Sequence, residues 1–246
     1  MNLILFDRSE LHADGLVRLD GDRARHLIRV LNIAPGQDVR VGVIDGPVGT
    51  GTVAEVSEGA VHLRCALGEL TPDRPRVDLL LALPRPKVMR RLWPQLAALG
   101  VGRIILTNAE RVERNYFDTH VLAPETYRPL LIEGLQQARD TRVPLVSIHR
   151  RFKVLIEDEL DGLSPKTLRL VAHPGSDRTI ASSVSRGADE RVLLAVGPEG
   201  GWNAFELELV ERYGFSRIRM GPRTLRSDTA CIALLTLVHH YVADAC

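Results

Sequence analysis

Residues 77–83 read Val-Asp-Leu-Leu-Leu-Ala-Leu, apolar at every position except Asp78. A strand with one face in water alternates apolar and polar residues. A run without that alternation fits a strand covered on both faces, the habit of parallel sheets flanked by helices. The rest of the chain keeps to this plan. Strand-like runs at 103–107, 145–148, 168–172, 192–196 and 217–220 are interspersed with helix-periodic segments at 88–99, within 125–139, at 203–213 and at 227–242. Such alternation predicts a mostly parallel α/β sheet. Pro94 falls inside the first of these helices and predicts either a kink or a displaced start.

Upstream the periodicity is different. Short strand-like runs at 39–44, 51–56 and 60–65 are separated by Asp45-Gly46-Pro47 and Glu58-Gly59, both turn chemistry. Before them, residues 22–31 carry Leu27, Val30 and Leu31 at helical spacing, and Ala34-Pro35-Gly36 stops that helix. One short helix on several short strands predicts a compact barrel. Residues 71–76, with Pro72 and Pro75, break both periods and read as a linker, so the expected division is 1–72 and 73–246. A chain of 246 residues accommodates two modest domains.

Composition excludes several classes. With 45% apolar and 26% charged residues, the chain is a folded protein rather than a disordered one. Its longest apolar stretch, 230–238, is far short of the roughly 20 residues that span a bilayer. Asp7 and the lack of a basic stretch before the first apolar residues argue against a secretory signal. Cys65, Cys231 and Cys246 are an odd number without C-x-x-C spacing. A disulfide framework and a zinc ribbon are therefore not expected, and a reducing cytoplasm is. Adjacent His239 and His240 diverge on a helix, so no metal site is expected. The phosphate-loop, dinucleotide, zinc-protease and nucleophile-elbow motifs are absent, and the glycines between Gly46 and Gly51 join two strands as a hairpin does.

Charge is uneven. All but three of the 32 basic residues are arginine, which suits bidentate phosphate contact and equally reflects a genome's codon composition. Through Arg74 the chain has 8 basic and 11 acidic residues; beyond it, 24 and 20. No blanket nucleic-acid surface follows, but local clusters do. Arg23, Arg25 and Arg29 share one short helix, Lys87, Arg90 and Arg91 form a second group, and Arg150, Arg151 and Lys153 a third. Each is a candidate RNA contact or a solvated face.

Three segments stand at the C-terminal ends of expected strands: Val171-Ala-His-Pro-Gly175, Val196-Gly-Pro-Glu-Gly-Gly201 and Met220-Gly-Pro-Arg-Thr-Leu-Arg-Ser-Asp-Thr-Ala230. Ligands of parallel α/β sheets bind outside those strand ends, and Gly and Pro there let backbone approach a ligand closely. The three loops either wrap one small molecule or are ordinary strand-to-helix turns; spacing alone leaves both open.

Gly197-Pro-Glu-Gly-Gly201, the Gly221-Pro-Arg-Thr-Leu-Arg226 block running into Ser227-Asp228-Thr229-Ala230, and Ala172-His-Pro-Gly175 resemble the signature of one family. It is the bacterial small-subunit rRNA uridine N3-methyltransferases of the SPOUT superfamily. His26-Leu-Ile-Arg-Val-Leu31 with Pro35-Gly36-Gln37 resembles that family's PUA-like RNA-binding barrel, and Leu99-Gly100-Val101 and Arg142-Val-Pro144 fall where the family has similar residues. The resemblance implies an α/β SPOUT domain with a trefoil knot over about 171–230. It implies an S-adenosyl-L-methionine pocket built by Ala172, His173, Pro174, Val196, Gly197, Glu199, Gly200, Met220, Gly221, Pro222, Leu225, Arg226 and Thr229. It also implies a homodimer and small-subunit ribosomal RNA as partner, in the assembled subunit. Two departures stand out: Leu135-Gln136-Gln137-Ala138 where many members carry glutamate-glutamine, and Asp228 where glutamate is common.

The implied reaction sets demands on side chains. Uridine N3 carries a proton, and its nucleophilic electron density appears as that proton leaves, so a base and a cation facing the charge on O2 and O4 are needed. Arg226 is the first candidate for that cation and Arg223 the second; Asp228 orients the arginine or accepts the proton, or else simply caps the last helix. N3 lies on the Watson–Crick edge, so the target base must be unpaired or extruded. Two alternatives stay open: a SPOUT enzyme acting on tRNA, and a non-catalytic RNA-binding protein.

Overall fold

The computed structural model describes residues 3–30, 32–185 and 190–243. Leu31 and Cys246 lie outside them. The chain divides into two compact units, one of Met1–Asp73 with Ile132–Val143, the other of Arg74–Leu131 with Pro144–Cys246.

The first unit holds β1 (Ile4–Phe6), β2 (Leu16–Asp20), α1 (Gly21–Arg29), β3 (Asp38–Val43), β4 (Val48–Ser57) and β5 (Ala60–Leu67). The strands form one curled sheet in the order β1-β3-β4-β5-β2, in which only β1 and β3 run parallel. A bulge between Val53 and Glu55 sharpens the twist of the β4–β5 pair. Val39, Val41 and Val43 send alternate side chains inward, where they meet Phe6, Leu19 and Leu27 of α1. The two turns read from sequence are formed: Asp45 and Gly59 take the left-handed backbone that tight turns need, at φ 55° and 86°. β1, three residues long, is too short to leave a periodic trace; β2 alternates over five residues and was not read from sequence.

The second unit opens with β6 (Val77–Ala82), buried at every position and interior to a six-stranded, wholly parallel sheet. Its other strands are β7 (Val101–Thr107), β8 (Leu145–His149), β9 (Thr167–Ala172), β10 (Arg191–Val196) and β11 (Phe215–Ile218), in the order β11-β9-β10-β6-β7-β8. Asp78, the polar exception in the apolar run, is 1% exposed and ion-paired to Arg191 at 2.6 Å. Burial pushes its carboxyl above the usual range while Arg191 pulls it back.

The helices are α2 (Pro86–Ala98), α3 (Pro124–Ala138), α4 (Ala204–Arg212) and α5 (Ser227–Ala243), with a further helical stretch over 152–163 that periodicity did not indicate. α2 starts two residues before its expected position, because Pro86 at the first helical position has no N–H to waste, and it runs through Pro94 without a break. α3 ends at a left-handed Arg139 and carries the chain back into the first unit, a return with no local signal. β11 lies two residues upstream of the run read from sequence: Gly214, at φ 86°, closes α4 so tightly that pairing with β9 begins at once at Phe215. Among the described residues no helix is long and apolar enough to cross a membrane, and no group of three His, Cys, Asp or Glu could hold a metal ion.

Candidate cofactor and RNA site

The strand order β11-β9-β10 puts the three Gly/Pro loops side by side at the C-terminal edge of the sheet. Pairing continues one step past β9, where His173 N–H donates to Ile218 C=O at 2.9 Å. His173 Nδ1 then accepts the Gly175 N–H at 3.2 Å and fixes the His-Pro-Gly turn. In the second loop Gly201 N–H donates to Pro198 C=O at 2.8 Å, and Gly201 sits at φ 72°. The third loop, 219–226, enters α5 directly.

Between these loops lies a cavity lined by Ala172, His173, Pro174, Val196, Gly197, Glu199, Met220, Gly221 and Leu225, which the resemblance names for the cofactor, and by Arg223, named instead as a candidate cation for the acceptor base. Pro198, Gly201, Trp202, Ile218, Arg219, Thr224, Ser227, Ala230 and Leu234 complete it. Ala230 and Leu234 stand one helical turn apart on α5 and so present one face. Gly200, Pro222, Arg226 and Thr229 are not among the lining residues.

Trp202 is the part of this wall that motif reading missed; its signal was a lone aromatic directly after a double glycine. Its ring is 6% exposed and stacks on Phe152 with centroids 5.3 Å apart. A Cβ at Gly197 would stand 3.0 Å from Trp202 Nε1, so a side chain there would press on the indole, and what glycine supplies is space rather than backbone freedom. Trp202 Nε1 and Ser227 Oγ are both buried without a hydrogen-bond partner, donors left over for a bound group.

Two further residues hold the middle loop. Arg111 Nη1 donates to Gly200 C=O, and its side chain lies where a Cβ on Gly200 would have to go. Glu110 N–H donates to Glu206 Oε1 at 2.7 Å, while Glu206 Oε2 accepts the Asn203 N–H at 2.8 Å. Asn203 Oδ1 in turn accepts the Glu206 N–H, so the buried Glu206 closes a capping box on α4 and ties the β7 loop to it.

A second cavity adjoins the first. Arg85, Val88, Arg91, Glu199, Arg226, Ser227 and Asp228 line it, so Glu199 and Ser227 face both spaces. Asp228 is engaged on both oxygens: Oδ1 accepts the Thr229 N–H at 2.9 Å and Oδ2 meets Arg91 at 3.4 Å. Burial and the nearby Asp228 push the Cys231 thiol up to about 12, so this cysteine is no nucleophile.

Residues 72–239 match the family described as the RNA methyltransferase domain. The chain belongs to the RNA methyltransferase family. Residues 19–64 match the RNA methyltransferase PUA domain, which lies within the curled-sheet unit. Ribosomal RNA small subunit methyltransferase E of Treponema pallidum (strain Nichols) is 29% identical over 97% of this chain and 90% of its own. The protein of the same name from Mycobacterium tuberculosis (strain CDC 1551 / Oshkosh) is 26% identical over 97% and 92%. The crystal structure of ribosomal RNA small subunit methyltransferase E from Neisseria gonorrhoeae, bound to S-adenosyl methionine, superposes with a TM-score of 0.78 at 19% identity. It covers 98% of this chain and 97% of that one, and so shares its fold.

In this RNA methyltransferase the basic clusters differ in how they are held. Arg23 is half-buried, paired to Glu10 at 2.5 Å and turned toward Leu5 C=O. Arg25 is exposed and paired to Asp22, and Arg29 is exposed. Lys87, Arg90 and Arg91 are all exposed on α2, and Arg150 pairs with Asp118 at 2.8 Å. Gln136 and Gln137 line a groove of the first unit with Arg23 and His26 and take no part in either cavity above.

Proposed function

We propose that this RNA methyltransferase transfers a methyl group from S-adenosyl-L-methionine to N3 of a uridine in small-subunit ribosomal RNA. The reading is carried by one observation: a loop-lined, largely apolar cavity and an arginine-rich cavity lie side by side and share Glu199 and Ser227. The residues of the first cavity fit the methyl donor, with Val196, Trp202, Met220, Leu225 and Leu234 for its flat base and unpartnered Trp202 and Ser227 donors for its polar atoms. When bound, that group supplies an electrophilic methyl on a sulfonium. The names of the relatives and the ligand of the gonococcal protein support the same substrate and donor.

Within the second cavity Arg226 faces the acceptor base and holds the negative charge that spreads over O2 and O4 as the N3 proton leaves. Arg223, in the donor cavity, is the alternative cation. Asp228 keeps Arg91 in place, and Glu199, at the junction of the two spaces, receives the proton. The same reading includes a trefoil knot within 171–230, a PUA-like unit that holds RNA, a homodimer in which exposed Leu237 of α5 is covered, the assembled subunit as substrate, and action in the cytoplasm.

The test is incubation with methyl-labelled S-adenosylmethionine and small subunits, naked rRNA or tRNA, followed by mass spectrometry of the nucleosides. N3-methyluridine in small-subunit RNA, lost in Arg226→Ala while cofactor affinity is kept, is the expected result. Label in tRNA or on ribose overturns the substrate. No label from a protein that binds the cofactor overturns catalysis, and full activity of Arg226→Ala removes that arginine from the mechanism.

A further inference from the structure

A third cavity opens at the C-terminal ends of β7 and β8, apart from the two described above. Asn108, Arg114, Phe152, Lys153, Asn203 and Phe205 form most of its wall. Phe205 is the only exposed phenylalanine, tyrosine or tryptophan among the described residues, at 50%. A phenylalanine left in water at the first turn of a helix forfeits its burial free energy unless a ligand covers it. Beside it, Asn108 Oδ1 is buried with no hydrogen-bond partner, an acceptor waiting for an N–H.

The charges fit the same ligand. Arg114 and Lys153 are exposed cations in the wall, and Lys153 is held only loosely by Glu157, at 3.8 Å. Of the two carboxylates there, Glu206 is spent on the Asn203 and Glu110 N–H groups, and Glu110 is exposed. An aromatic face, a lone acceptor and two cations are what an unstacked nucleotide asks for: ring on ring, base N–H to the acceptor, phosphate to the cations. The Phe152–Trp202 stack joins this cavity to the methyl-donor cavity, since one ring belongs to each wall.

We propose that this cavity takes a second, non-methylated nucleotide of the RNA substrate, splayed from the strand that carries the target. Its base stacks on Phe205 and donates an N–H to Asn108 Oδ1, and its phosphate lies between Arg114 and Lys153. The inference rests on the RNA-methylating reading above but concerns residues outside both of its cavities.

The test measures binding and turnover separately on the full chain. A 5′-fluorescein single-stranded RNA decamer of mixed sequence is titrated by anisotropy, and KM for small subunits is measured beside it. Phe205→Ala raises Kd and KM for RNA about tenfold, the lower part of the range for one base–aromatic stack, with the cofactor Kd unmoved. Phe205→Tyr restores binding, and Lys153→Ala lowers the salt slope of decamer binding by about one. Asn108→Ala weakens the decamer independently of the ring. Unchanged RNA binding in both Phe205→Ala and Asn108→Ala overturns the cavity while leaving the methylation reading standing. A wild type that methylates no RNA, yet binds the decamer more tightly than Phe205→Ala does, overturns the methylation reading and upholds the cavity.

Discussion

Replacing Gly197 by alanine probes the donor cavity through a single methyl group. The new Cβ would stand 3.0, 3.1 and 3.2 Å from Nε1, Cδ1 and Cε2 of Trp202, where ordinary contact begins near 3.4 Å. The indole must therefore retreat by a few tenths of an ångström. It has little room to do so, being 6% exposed and stacked on Phe152. Overpacking of this kind costs about 1–3 kcal/mol. Because Trp202 lines the cavity, the retreat narrows the space for the cofactor; the part of this energy borne only in the bound state raises its Kd, with roughly 5- to 150-fold as the ceiling if all of it falls there. Strain already present without ligand lowers Tm by about 2–4 °C for each kcal/mol. Isothermal titration calorimetry with S-adenosylmethionine and a thermal melt read the two effects. Gly162→Ala is the control, since its Cβ would meet nothing within 4 Å and both readouts should stay at wild-type values or gain slightly in Tm. Wild-type affinity and Tm in Gly197→Ala would refute the claim that a rigid Trp202 wall resists a side chain there.

Gly49→Ala should be worse for stability: its Cβ would lie 2.2 Å from the Ala66 carbonyl oxygen and 2.7 Å from Leu67 Cα, both backbone, so β4 and β5 must separate. A loss of at least about 3 kcal/mol, or roughly 6–12 °C in Tm, is expected by calorimetry, and a loss below 1 °C would contradict it. Arg111→Ala removes the donor to Gly200 C=O and should weaken cofactor binding about three- to tenfold with little change in Tm, read by the same titration. Burial lowers the pKa of His239 below its ordinary 6.5, so the unfolded chain takes up this proton before the folded one does. Its contribution is whole above pH 6.5 and shrinks as pH falls through the folded value. Tm should thus fall between pH 7 and 5 more steeply in the wild type than in His239→Gln; parallel curves would exclude the histidine.

Much of this protein was legible in one dimension. The apolar run at 77–83, the alternation of strands and helices behind it and the turns at Asp45 and Gly59 are local matters of period and backbone freedom; the structure has each of them, with α2 and β11 beginning two residues early and a helical stretch at 152–163 added. The three Gly/Pro loops were likewise visible, because ligands of parallel sheets gather at strand ends. Spacing alone left a ligand site and ordinary turns both open; the cofactor residues were named by the family resemblance, and most of them line one cavity.

What tertiary structure decided is everything that depends on which strands become neighbours. The order β11-β9-β10 gathers loops from three separate stretches of chain, and no local period encodes that order. It also divided the residues: Arg223 went to the donor cavity, while Arg226 and Asp228 went to the adjoining one with Arg85, which precedes α2, and Arg91 of α2. Trp202 and Arg111 acquired their roles only through contacts across the fold, since an aromatic after two glycines and an arginine carry no distinctive spacing; for Glu206 the capping box with Asn203 is local, and only its hold on Glu110 came from the fold. The return of 132–143 into the first unit is of the same kind. Sequence states what each segment can be; packing chooses which of its side chains meet, because that choice is made by shape and burial between residues far apart in the chain.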